Sequence, residues 1–71
     1  MNECISNIVI GQRLHDLRKQ KKLTIQEVAD SVGLAKNSIS CYENGTRRPN
    51  STAMLKLANF YNKTVQELFF E

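Results

Sequence analysis

The chain has 71 residues, which is enough for one small domain whose core is correspondingly small. Apolar residues make up 41 %, charged residues 24 %, and the formal net charge is +3, the balance of a folded soluble protein with a basic bias suited to an anionic partner such as nucleic acid or a membrane face. No purely apolar run exceeds three residues, as in Ile8-Val9-Ile10, which is far too short to span a bilayer, and the start, MNECISNIVIG, lacks the basic and long apolar regions of a signal peptide.

Ile10, Leu14 and Leu17 recur at i, i+4, i+7 and mark one face of a first helix. Ser6 or Asn7 can cap its start. Arg13, Arg18, Lys19, Lys21 and Lys22 ride along it. Cations in the last turns complement the negative end of the helix dipole. The same cluster serves equally well for binding an anionic ligand. Thr24 opens a second helix, with Glu27 at the reciprocal position of a capping box. Val28, Ala29 and Val32 give it an apolar face. Gly33 ends it, because glycine takes the left-handed conformation without steric cost.

Leu34 restarts the apolar pattern only one residue later. In the third helix Ile39 and Tyr42 can face inward with Leu34, while Lys36, Asn37, Ser40 and Cys41 lie on the other side. Asn44-Gly45 closes this helix. Thr46-Arg47-Arg48-Pro49-Asn50 follows as a basic loop, in which Pro49 blocks helix continuation. A fourth helix runs from Ser51 or Thr52 to Tyr61, with Met54, Leu55, Leu57, Ala58 and Tyr61 as its buried face. A turn through Asn62 leads to Thr64, another cap, with Gln66 and Glu67 in the first turn. Val65, Leu68 and Phe69 belong to a short last helix. Nothing repeats internally.

Two helices joined by a tight turn at Gly33 have the layout of a helix-turn-helix. In that motif the second helix enters the DNA major groove and its N-terminal residues reach base edges. That end also carries the positive pole of the helix dipole. Lys36, Asn37 and Ser38 occupy this first turn, and Cys41 lies one turn beyond Asn37.

Three stretches together, RLHDLRKQKKLT, VADSVGLAKNSISCYENG and RRPN followed by LKLANFYNKTVQELF, resemble the Cro/CI-type helix-turn-helix domain of the XRE family. The resemblance runs from about Ile10 to Phe69. It implies an all-α, compact five-helix lambda-repressor-like domain over residues 7–71, preceded by a short arm at residues 1–6. It implies base reading by Lys36, Asn37 and Cys41, with Ser38 and Ser40 close enough to contact bases or phosphates. Thr24, Asn44, Thr46, Arg47 and Arg48 match positions near the DNA backbone. Arg18 and Glu43 match a salt bridge between the first and third helices. Two positions depart from the family pattern. Ile25 stands where a glutamine is common, and Cys41 where a longer polar or basic side chain is common.

The function implied is sequence-specific binding of double-stranded DNA by a transcriptional regulator, a repressor of phage, plasmid or controller type. It would act as a homodimer on a two-fold operator, since one module rarely discriminates enough against competing sites. Leu68, Phe69 and Phe70 are the candidate dimer contacts. An antitoxin-type module that grips a protein as well as DNA is the alternative. Cys4 and Cys41 stand far apart with no CxxC or Cys/His cluster, so neither a disulfide framework nor a zinc site is predicted. The reading is a cytoplasmic protein with reduced thiols. His15 reads as a surface residue rather than a ligand. Cys41 could alternatively sense redox state through a thiol beside positive helix-end charge. Ser38 and Ser40 have no paired histidine and acid, and no glycine-rich phosphate loop occurs, so no enzyme, cofactor or small-molecule substrate is predicted.

Overall fold

A computed structural model describes residues 6–71, so the arm is seen only at Ser6 and Cys4 lies outside the described residues. The helices are α1 (Asn7–Gln20), α2 (Ile25–Val32), α3 (Lys36–Asn44), α4 (Ser51–Phe60) and α5 (Gln66–Phe70). The last is a single turn wound as a π-helix. No strand occurs among the described residues.

Local chemistry sets the helix ends. Ser6, rather than Asn7, caps α1: its hydroxyl accepts from the Val9 N–H at 3.2 Å. The expected capping box of α2 is complete. The Glu27 N–H donates to Thr24 Oγ1 at 3.1 Å and the Thr24 N–H to Glu27 Oε1 at 2.8 Å. A second box forms at Thr64 and Glu67, with bonds of 3.0 and 2.9 Å. The cap of α4 is Asn50, whose side chain accepts from the Ala53 N–H at 2.8 Å. Gly33 and Gly45 end α2 and α3 at φ 72° and 78°, a region closed to most side chains.

All five helices share one core. Ile10 and Leu14 come from α1, Val28, Ala29 and Val32 from α2, and Ile39 and Tyr42 from α3. Ala53, Met54, Leu57 and Ala58 enter from α4, followed by Tyr61, Leu68 and Phe69. Leu55 does not belong to this face: it is 57 % exposed. Each helical residue turns about 100° from the last, so Leu55 points away from the side shared by Met54, Leu57 and Ala58. Ala53 takes the inward place instead. Leu68 and Phe69, which the sequence offers for contact between copies, are spent on the chain's own core at 3 % and 0 % exposure. Phe70 also packs against that core but keeps part of its surface.

The tightest seam lies between α1 and α3. A Cβ at Gly11 would overlap the Glu43 carbonyl oxygen and stand 2.7 Å from that of Tyr42. Backbone atoms cannot rotate aside, so α1 must carry glycine here. Gly11→Ala should therefore push α1 off α3 and cost about 1–3 kcal/mol, the range of overpacked cores. Urea denaturation would measure it, and unchanged stability would refute the close approach.

Tyr61 offers a second check. Burial, then the nearby Glu43 carboxylate, pushes its phenol from the ordinary 10.0 up to about 12, with Arg18 opposing. A raised pKa means the folded state holds the proton more tightly. This contribution to stability is complete below pH 10 and is lost as pH rises toward about 12. Phenolate absorbance should show a late alkaline phase that Tyr61→Phe removes. Titration of Tyr61 at its ordinary value would contradict the packing.

Candidate nucleic-acid interface

The turn between α2 and α3 is short because Gly33 allows it. The Gly33 and Leu34 N–H groups both donate to the Ala29 carbonyl, at 2.9 and 3.1 Å. Leu34 packs against the core from the turn. Ile39 and Tyr42 then anchor α3 from below. Helical geometry sends Asn37, Cys41 and Asn44 to the opposite side. Lys36, Asn37 and Asn44 are exposed, and Ser38, Ser40 and Cys41 partly so. The N-cap of α3 is Ala35, which has no side-chain acceptor to offer the first-turn N–H groups. Those donors point the way an incoming anion would be met.

What fastens α3 is the pair matched at Arg18 and Glu43. Arg18 Nε donates to Glu43 Oε2 at 2.8 Å and Nη2 to Oε1 at 3.0 Å. Nη1 reaches the Leu23 carbonyl at 2.9 Å. One guanidinium thus ties α1, the approach to α2 and α3 together. The two side chains are only 8 % and 6 % exposed. Hydrogen bonding to Glu43 raises the Arg18 pKa above its ordinary value, against the lowering effect of burial. His15 joins them, although the sequence reads it as a surface residue. Its Nδ1 lies 3.2 Å from Glu43 Oε1 and 3.3 Å from Arg18 Nη2, and its side chain is 42 % exposed. No buried side-chain polar atom among the described residues lacks a partner.

The basic loop closes back over the end of α3. The Thr46 N–H and hydroxyl both donate to the Cys41 carbonyl, at 3.1 and 3.3 Å. Arg47 Nη1 donates to Ser38 Oγ at 3.3 Å. Arg48 Nε donates to Asn7 Oδ1 at 3.0 Å, tying the loop to the start of α1. Buried Pro49 pins the loop from within.

A second cationic feature lies beside α3. Lys19, Lys22 and Lys36 line an open groove with Thr24, Ile25 and Gln26. Lys22 enters it from a left-handed backbone, φ 57°, that closes α1 through a Leu23 N–H bond to the Arg18 carbonyl at 3.2 Å. In sequence, Lys19 and Lys22 read equally as dipole partners. Only the fold brings them next to Lys36. Ile25 lines the groove and also packs against the core. Among the candidate residues, Thr24 and Lys36 thus share the groove at the starts of α2 and α3, Thr46 and Arg47 are bonded to Cys41 and Ser38 of α3, and Arg48 is bonded to Asn7 at the start of α1. Leu68 and Phe69 lie apart from these, in the core.

The Helix-turn-helix family model matches residues 14–68. The HTH-type transcriptional regulator AnsR of Bacillus subtilis is 43 % identical over 56 residues, covering 79 % of this chain and 48 % of its own. The restriction-modification controller protein C.AhdI from Aeromonas hydrophila superposes with a TM-score of 0.82 at 33 % identity, covering 89 % of this chain and 96 % of that one. The P22 c2 repressor, solved in complex with a synthetic operator, superposes with a TM-score of 0.81 at 25 % identity over 84 % of this chain and 91 % of its own. The chain spans about half the length of the curated relatives it matches. With its five helices in the lambda-repressor-like arrangement and its Gly33 turn between α2 and α3, this chain belongs to the Cro/CI-type, XRE helix-turn-helix family.

Proposed function

We propose that the chain binds double-stranded DNA sequence-specifically and regulates transcription, as a repressor in the cytoplasm rather than as an enzyme. The observation that carries this reading is the exposed polar face of α3, held by a buried ion pair and bordered by cations. A major groove admits one α-helix, and on this reading Asn37, exposed near the N-terminal end of α3, takes a base edge there. Lys36 and Cys41 flank it. Asparagine pairs bidentately with adenine, lysine favours guanine, and a thiol suits the thymine methyl. Ser40 lies at the margin of the same face. Thr24, Asn44 and Arg48 are exposed, and this reading gives them the phosphates. Thr46 directs its hydroxyl to Cys41, so its contribution passes through the loop it holds. Lys19 and Lys22 extend the cationic border. The named relatives support the reading: one is a transcriptional regulator, one a restriction-modification controller and one a repressor bound to operator DNA.

The operator would be two-fold, with two copies placing their α3 helices about 34 Å apart, one DNA turn. With Leu68 and Phe69 buried, Phe70 is the member of the C-terminal trio with surface to offer a second copy. Selection from random duplexes, then titration of the selected site, tests the whole reading. We expect two chains per duplex and a steep salt dependence. Asn37→Ala should lose roughly 1–3 kcal/mol on the selected site and little on random DNA. Equal losses on both would make Asn37 a positioning residue, and failure to enrich any sequence would end the proposal.

A further inference from the structure

Arg47 stands apart from the other loop residues. The resemblance in sequence implies a DNA-backbone contact for it, and a phosphate-binding arginine would extend outward from the loop. Here it stays exposed but leans back toward α3. Gly45, at φ 78°, reverses the chain at the end of α3. The two bonds from Thr46 to the Cys41 carbonyl then bring the loop back beside α3. From that point Arg47 runs toward the N-terminus of α3 and donates from Nη1 to Ser38 Oγ at 3.3 Å. Ser38 and Cys41 are neighbours at i, i+3, about one helical turn apart. The guanidinium therefore lies along the border of the face that carries Asn37 and Cys41.

That face lacks something that Arg47 can supply. Its own side chains, Asn37, Ser38, Ser40, Cys41 and Asn44, are all short. Lys36 is the long cation on the helix, a point charge without a planar fork that also lines the groove with Lys19 and Lys22. Lysine can also reach guanine O6 and N7, but the rigid planar fork that matches both at once is arginine's. With Nη1 on Ser38, the Nε and Nη2 donors of Arg47 make such a fork.

We propose that Arg47 is a base-reading residue that takes a guanine edge in the major groove, and that Ser38 is a positioning residue that holds its guanidinium there. This rests on the DNA-binding reading above. It reassigns both residues: Arg47 from phosphate to base, and Ser38 from DNA contact to support. Cys41 then fits as a small residue that leaves room for an arginine arriving from the loop.

The test uses the full chain. Wild type, Arg47→Ala, Arg47→Lys, Ser38→Ala and Ser38→Thr are each taken through selection from a random duplex library, with circular dichroism melting to confirm that each folds. The wild-type motif should contain a guanine whose preference falls roughly ten- to hundredfold in Arg47→Ala while other positions keep theirs. Arg47→Lys keeps the charge but loses the fork, so it should recover only part of that preference. Ser38→Ala should weaken the same position alone, and Ser38→Thr, which keeps the hydroxyl, should restore it. Uniform loss on all sequences, with the salt slope reduced by about one and the motif intact, would make Arg47 a phosphate contact and overturn the proposal. A wild type that selects no motif at all would overturn the DNA-binding reading itself, a distinct outcome.

Discussion

The buried ion pair between Arg18 and Glu43 is the interaction on which the rest of the molecule depends. α3 is a short helix, and short helices are marginal in water without tertiary support. Its apolar grip consists of Ile39 and Tyr42 alone, both on one side. The bidentate bonds from Arg18 to Glu43 add a directional fastening near the C-terminal end. Because the same guanidinium also holds the Leu23 carbonyl, it fixes the entry to α2 relative to α3. Taking two charges out of water is costly, and such a pair can break even against a well-packed apolar pair. Its value here is orientation: an ion pair with two specified bonds allows one rotation of α3, where an apolar contact would tolerate several.

The close approach at Gly11 serves the same end. With no side chain at that position, α1 lies directly against the backbone of Tyr42 and Glu43. That proximity brings Arg18 and His15 within reach of the Glu43 carboxylate. His15 covers the pair from the solvent side, while Tyr61 sits close enough to feel both charges from the core side. The exposed polar face of α3 is thus the outer side of an element whose inner side is fixed by a glycine seam, two apolar residues and one charge network. On the proposed reading α3 needs such rigidity, because hydrogen-bond readout of bases tolerates little misplacement.

Much of this was legible in the chain, and what was not follows a physical pattern. Features set by neighbours in sequence could be read directly. Thr24 and Glu27 are three residues apart, and Gly33 and Gly45 mark helix ends through a conformation that few other residues accept. Asn50 could have been found by the same rule, since asparagine before a helix start is a strong cap. Arg18 and Glu43 are far apart in sequence, and no local pattern pairs them; their partnership came through the resemblance. Leu55 reads as buried because α4 is rich in apolar residues, and that richness hides the narrower stripe that packs. The role of His15 and the reach of Arg47 to Ser38 were invisible. The first depends on how α1 crosses α3, the second on how the loop returns after Gly45. Lys19 and Lys22 were ambiguous until the fold placed Lys36 beside them.

The central claim is that the Arg18–Glu43 pair sets the orientation of α3. A double-mutant cycle tests it most directly, with Arg18→Met, Glu43→Leu and the double variant compared for unfolding free energy and for affinity on the selected duplex. Each single variant leaves a buried charge without its partner and should cost about 3–5 kcal/mol of stability. The double variant should cost far less than the sum, yet still bind the duplex more weakly than wild type, because packing is restored while the directional bonds are not. Additive stability losses, or a double variant that binds as tightly as wild type, would contradict the account.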